Sequence, residues 1–260
     1  MILSTLKEVV KYIGLLLICA VVMSIIALIF NIDISENVLY IGTFALFYIF
    51  VIIYLKRRKV NILDLCNFRK VTIKDAVFAI MLAIVFQFIV SAIGAILDSV
   101  DKIAPYIKEY ENSMQNLIGS EKIEIVFFAI VIAAPFFEEL MFRGLIFGTM
   151  LVNQMNIYLA AVLQALLFGL IHFDLYQGAV TFLMGIFSAF VLYCTNSIWN
   201  SIVFHAVFNF FGLNGLIYEI NKSTESDLPI MGYIIMLVIG ITLMYMPMRY
   251  FLKRKLEIKN

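Results

Sequence analysis

The stretch FFAIVIAAPFFEELMFRGLI, residues 127–146, decides the class of this protein. It is long and apolar enough to cross a membrane, but Glu138, Glu139 and Arg143 interrupt it. Placing one charged side chain near the centre of a bilayer costs roughly 2.5–3.5 kcal/mol on insertion scales. We therefore expect these three residues to face the interior of a helix bundle and to serve a function.

The composition is that of a polytopic membrane protein. The chain has 260 residues, of which 63% are hydrophobic and 14% are charged. Soluble domains carry about 25% charged residues. The net charge of +1 argues against a nucleic-acid partner.

Cys19, Cys66 and Cys194 are widely spaced and indicate neither a disulfide framework nor a thiolate metal site. Cys19 and Cys194 fall in apolar spans and are predicted to be small buried hydrophobic residues.

Hydropathy predicts an all-α bundle of eight transmembrane helices, since each span needs about 20 apolar residues. The predicted spans are 12–30, 38–55, 75–97, 123–149, 157–173, 177–195, 199–218 and 230–251. Basic residues concentrate at both termini and between the second and third spans, whereas the opposite loops include the acids Asp33, Glu225 and Asp227. The positive-inside rule then places both termini in the cytoplasm. The long loop at 98–122 is expected to carry a short amphipathic segment on the outer face.

We expect one structural domain with three parts. Residues 1–119 form the first three transmembrane helices and the outer loop, and residues 120–218 form the core with the polar cluster. Residues 219–260 form the last transmembrane helix and a basic cytoplasmic tail. The first segment is expected to be a retained anchor, because no signal-peptide cleavage site followed by a polar domain is found. A short chain of this kind, without targeting extensions, is typical of a prokaryotic cell-membrane protein.

The acidic pair has two different members. Glu139 and Arg143 are spaced i, i+4 with the acid first, the better order for a helical ion pair. Glu138 is rotated about 100° from Glu139 on the helical wheel, so Arg143 is not placed to neutralise it. Glu138 is therefore the freer carboxylate and the better candidate for a general base. The alternative interpretation is that Glu139 and Arg143 only hold helices together.

The two histidines of the chain lie in the same region as the acids. His172 follows the run FGLI near the end of the predicted fifth helix, where a histidine can equally be a hydrogen-bonded structural residue. His205 and Asn209 are spaced i, i+4 and can either join helices or donate hydrogen bonds to one oxyanion. A carboxylate, an imidazole and a pair of donors are the groups that hydrolysis of a peptide bond requires. Ser188 and Ser201 are interpreted as small interface residues.

Three short motifs occur in order on successive predicted helices: EELMFR at 138–143, FGLIH at 168–172 and HAVFN at 205–209. Together they resemble the CPBP family, the CAAX proteases and bacteriocin-processing enzymes also called the Abi family. The resemblance covers about residues 120–217. It implies an intramembrane endopeptidase whose site lies between helices four, five and seven and opens to the cytosol. Glu138 would activate water with His172, Glu139 and Arg143 would support them, and His205 and Asn209 would hold the oxyanion.

The family has been described both as metalloproteases and as metal-free glutamate-dependent proteases. If zinc is bound, Glu138, His172 and His205 would be its ligands. We favour a metal-free site, because no HExxH helix is present and Asn209 is a poor zinc ligand but a good amide donor. The resemblance implies that the substrate is a peptide or the C-terminal tail of a membrane-associated protein. Processing of small peptides such as bacteriocins, or self-protection against them, is the favoured role.

Two alternatives come from other functional classes. Buried Glu, His and Arg residues also build proton paths, so a proton-coupled carrier is one alternative. A non-catalytic immunity protein that keeps the motifs as structural pairs is the other.

The predicted topology also sets a geometric problem for the protease. His172 falls near the outer end of its helix, whereas Glu138 and His205 fall nearer the cytoplasmic side. We therefore predict that the fifth helix is tilted, sunk or shorter than a full span. Gly144 and Gly148 are expected to let a neighbour pack closely against the fourth helix.

Overall fold

The computed structural model describes residues 2–31, 35–221 and 228–259, and this part of the chain is folded into helices without a β-strand. The loop acids Asp33, Glu225 and Asp227, used for the topology prediction, lie outside the described residues. The helices are α1 (Ile2–Ile29), α2 (Glu36–Arg57), α3 (Ile62–Leu65), α4 (Ile73–Asp98), α5 (Ala104–Ser120), α6 (Ile123–Val152), α7 (Ile157–Leu170), α8 (Leu175–Thr195), α9 (Ile198–Asn221) and α10 (Ile230–Lys259).

The all-α membrane bundle predicted from hydropathy is confirmed, with one difference. Among the described residues, seven helices are long and apolar enough to cross a membrane. The predicted fifth span is the exception, because α7 has 14 residues. At 1.5 Å per residue it is about 21 Å long, less than a bilayer core of about 30 Å. The prediction that this helix is shorter than a full span is therefore confirmed. The loop at 98–122 contains a longer helix than the short segment expected, since α5 has 17 residues.

The central helix α6 is wound irregularly around the charged residues. Phe128–Ala133 and Leu140–Phe147 are π-helical, and the α-helical turn between them carries both glutamates. The amide of Ala134 donates to the carbonyl of Ala129, five residues earlier. The next such bond would need the amide of Pro135, which proline lacks. π-Helical turns of this kind often occur at functional sites.

A side chain of α9 replaces that missing bond. Asn209 Nδ2 on α9 donates to the carbonyl oxygen of Ile130 at 2.9 Å. This oxygen is the one that Pro135 leaves without a donor in the π-helical register. The proline thus frees a carbonyl, and a side chain from another helix satisfies it.

Gly144 and Gly148 pack closely against a neighbour, as predicted, but the neighbour is the α3 segment between α2 and α4. A Cβ added to Gly144 would lie 2.6 Å from the sulfur of Cys66. One added to Gly148 would lie 2.6 Å from the carbonyl oxygen of Leu65. Burial raises the pKa of the Cys66 thiol to about 12, so this thiol is expected to be unreactive. Cys19 and Cys194 are also buried, as predicted.

Gly148→Ala should lower the free energy of unfolding by about 1–3 kcal/mol, because the new methyl group meets a backbone carbonyl that cannot rotate away. Thermal unfolding in detergent measures this change. Gly14→Ala in α1 is the matched control, since no atom lies within 4 Å of its added Cβ. If both variants unfold at the same temperature, the close contact of α6 with the α3 segment is wrong.

Candidate active site

Glu139 is the centre of a fully buried polar cluster. Arg143 Nη1 lies 3.1 Å from its Oε1, and Nδ1 of His205 lies 2.9 Å from the same oxygen. Ser188 and Ser201 donate their hydroxyls to the two carboxylate oxygens. Every one of these neighbours is a donor or a cation, so Glu139 serves as the acceptor in all four contacts. The ion pair predicted from the i, i+4 spacing is present in the structure.

Arg143 is held by more than this ion pair. Its side chain is 0% exposed, and its guanidinium carbon lies 4.4 Å from the ring centre of Phe168 on α7. None of the guanidinium nitrogens makes a well-aligned hydrogen bond to a described residue. The charge of Glu139 and the face of Phe168 are therefore its main stabilising contacts.

Glu138 has different surroundings from its neighbour. Its residue is 8% exposed, and its Oε1 accepts a hydrogen bond from Tyr40 Oη on α2 at 2.7 Å. Its Oε2 lies 3.8 Å from Nε2 of His205, which is beyond hydrogen-bond distance. One oxygen is thus occupied, and the other faces an imidazole without bonding to it. This difference between the two carboxylates agrees with the separation predicted from the helical wheel.

His205 lies between the two glutamates. Because Glu139 is an acceptor, Nδ1 of His205 carries the proton that it donates, which leaves a lone pair on Nε2 in the neutral ring. A carboxylate oxygen of Glu138 and this lone pair therefore face each other across 3.8 Å. Two acceptors at this separation are stabilised by a molecule that donates to both, and water has two donor hydrogens. The arrangement is suited to hold and polarise one water molecule.

The structure places His172 one turn after Phe168 on α7, and among the described residues it makes no polar contact with Glu138. Phe168, one turn before His172 on α7, contacts both Arg143 and His205. Within the described part of the chain, however, His172 and Glu138 form no hydrogen bond or ion pair. His172 Nδ1 instead donates to the Phe168 carbonyl at 2.8 Å, and its role beside Glu138 stays a prediction.

The predicted oxyanion pair is divided between two tasks. His205 contacts the glutamates, whereas the Asn209 amide donates to Ile130. The two side chains lie one turn apart on α9, but the structure does not show them converging on one point. Their oxyanion role also stays a prediction.

Sequence reasoning missed three polar residues of the cluster. Ser201 lies one turn before His205 on α9, and this spacing could have indicated that it shares a face with the histidine. Both Ser188 and Ser201 are predicted from the sequence only as small interface residues. Tyr40 lies 98 residues before Glu138, and no local pattern links it to the acids.

The zinc alternative does not fit this arrangement. Among residues 2–31, 35–221 and 228–259, no group of three His, Cys, Asp or Glu side chains is placed to hold a metal ion. Of the three ligands that the zinc alternative would need, only Glu138 and His205 are seen close to each other among these residues. No step is therefore assigned to a metal.

Residues 121–211 match the sequence model of the family described as "Type II CAAX prenyl endopeptidase Rce1-like". The resemblance of the core to the CAAX protease family is confirmed. The chain is also 31% identical over 104 residues to a Bacillus subtilis (strain 168) protein named "Putative membrane peptidase YdiL". That match covers 40% of this chain and 42% of the relative's length. No solved structure matches. The matched segment contains Glu138, His172, His205 and Asn209, but not Tyr40.

Proposed function

We propose that this protein is an intramembrane endopeptidase that hydrolyses a peptide bond with a water molecule activated by Glu138. The observation that carries the proposal is the pair of acceptors, Glu138 Oε2 and His205 Nε2, facing each other at 3.8 Å within a buried cluster. The matching family is described as an endopeptidase and the Bacillus relative is named a putative membrane peptidase, which agrees with this chemistry.

In the proposed reaction, water donates its hydrogens to Glu138 and His205, and its oxygen attacks the carbonyl carbon of the peptide. Glu138 takes one proton of the water and passes it to the leaving amine, so that the C–N bond breaks and a carboxylic acid forms, which becomes a carboxylate when it releases its proton. Glu139 orients His205 through Nδ1, and Arg143 balances the charge of Glu139. His172 and Asn209 are the remaining candidates for donors to the oxyanion of the intermediate.

The proposed site lies inside the membrane rather than at its surface. His205 is about 10 Å along α9 from Ile198, and Tyr40 is about 6 Å along α2 from Glu36. If both termini are cytoplasmic, the N-terminal end of α9 and the N-terminal end of α2 lie on opposite sides of the bilayer. A substrate must therefore be a peptide or a C-terminal tail that enters the membrane, which agrees with small membrane-associated peptides, bacteriocin precursors among them.

The purified protein tests this proposal with a panel of fluorescence-quenched peptides. We expect cleavage by the wild type, unchanged by a metal chelator, and a loss of about 100-fold or more in His205→Ala. His172→Ala decides whether His172 takes part, and Phe173→Ala, an exposed neighbour in the same turn, is its control. Cleavage that survives His205→Ala would contradict the assigned water site. Loss of cleavage with chelator and its recovery with zinc would overturn the metal-free mechanism.

A further inference from the structure

One face of α2 is attached to the candidate active site. Tyr40, Phe44 and Tyr48 are spaced i, i+4, i+8 and therefore lie along one side of the helix. Tyr40 donates a hydrogen bond to Glu138 Oε1, and Tyr48 donates one to the backbone carbonyl of Phe137, the residue before Glu138. Tyr40 and Tyr48 thus bind adjacent residues of α6 at different points.

Aromatic packing fixes this face. The ring of Phe44 lies 4.9 Å from that of Tyr40, and it stacks on Phe137 with centres 5.5 Å apart and an angle of 4°. Tyr48 stacks on the same Phe137 ring at 5.8 Å. Such contacts restrict ring movement, so the Tyr40 hydroxyl is held in place before any substrate arrives.

We propose that Tyr40 is a positioning residue for Glu138. Its hydroxyl holds Oε1, and the planar carboxylate must then direct Oε2 towards His205. This proposal rests on the proposed function, since it concerns the orientation of the general base. The proposal makes α2 part of the candidate active site, although α2 lies outside the matched segment 121–211.

The role predicts a specific kinetic effect. Without the hydroxyl, the carboxyl group of Glu138 turns more freely and spends less time facing His205. Misplacing a catalytic group by about 1 Å can reduce the rate 100-fold. Tyr40 acts through Glu138 and not on the substrate, so kcat should fall while KM stays the same.

The experiment compares Tyr40→Phe with Tyr48→Phe, which removes the same hydroxyl from the same face of α2. We expect Tyr40→Phe to reduce kcat by about 10- to 100-fold with KM unchanged within a factor of two, and Tyr48→Phe to keep kcat within a factor of three. Equal kcat values for the two variants would overturn the proposal. A raised KM with unchanged kcat would overturn it too, because Tyr40 would then bind the substrate.

A second measurement does not depend on activity. The melting temperature in detergent is measured for Tyr40→Phe in the wild-type and Glu138→Ala backgrounds. We expect Tyr40→Phe to lower the melting temperature in the wild type and to have a smaller effect once Glu138 is absent. Equal effects in both backgrounds would contradict the contact itself. If the contact of Tyr40 with Glu138 is confirmed but the wild type cleaves no peptide, the proposed function is wrong, and so is the positioning role that depends on it.

Discussion

Glu138→Gln should reduce kcat by about 100- to 10,000-fold, the range that a general base contributes. Glutamine has nearly the shape of glutamate and can still accept the hydrogen bond from Tyr40. It cannot take a proton from water, however. Because Glu139 is occupied by Arg143, His205 and two serines, it cannot replace Glu138 as the base. Initial rates with a cleaved peptide measure the effect, and unchanged thermal unfolding would show that the variant is folded.

Glu124→Gln is the matched control for this variant. Glu124 lies on the same helix, α6, and is exposed, so its replacement should leave kcat within a factor of two. Peptide cleavage by Glu138→Gln at more than one tenth of the wild-type rate would show that another group activates the water. The proposed mechanism would then be wrong, although this result would not contradict the contacts within the polar cluster.

Arg143→Met should lower the free energy of unfolding by about 3–5 kcal/mol, because it leaves the charge of Glu139 buried without its cation. Methionine fills much of the space of the arginine side chain, so the loss reports on charge more than on volume. The double variant Glu139→Gln/Arg143→Met removes both charges and should recover a large part of this loss. Unfolding by heat in detergent measures all three proteins.

Arg57→Met is the control for this prediction, since Arg57 is an exposed arginine at the end of α2. Surface substitutions of this kind change stability by about 0.5 kcal/mol or less. If Arg143→Met were no less stable than Arg57→Met, the ion pair would not stabilise the protein. If the double variant were less stable than Arg143→Met, Ser188, Ser201 and His205 would need an ionised Glu139.

The CAAX protease resemblance and the candidate site depend on different kinds of information. The motif residues Glu138, Glu139 and Arg143 could be recognised from spacing, because residues of one helix keep fixed relative positions. The short α7 could be predicted from the conflict between the depth of His172 and that of Glu138. Sequence spacing did not indicate that His205, rather than His172, lies nearest to Glu138.

By itself, the sequence determined the membrane-spanning segments, the burial of the charged stretch and the ion pair between Glu139 and Arg143. These follow from hydropathy and from the helical repeat, which act within one segment. Only the tertiary structure decided that His205 lies between the glutamates, that Asn209 binds the carbonyl left free by Pro135, and that Tyr40 reaches Glu138. Such contacts depend on the rotation and depth of whole helices, which packing against neighbours sets, and on the π-helical turns of α6, which shift every later side chain around its axis.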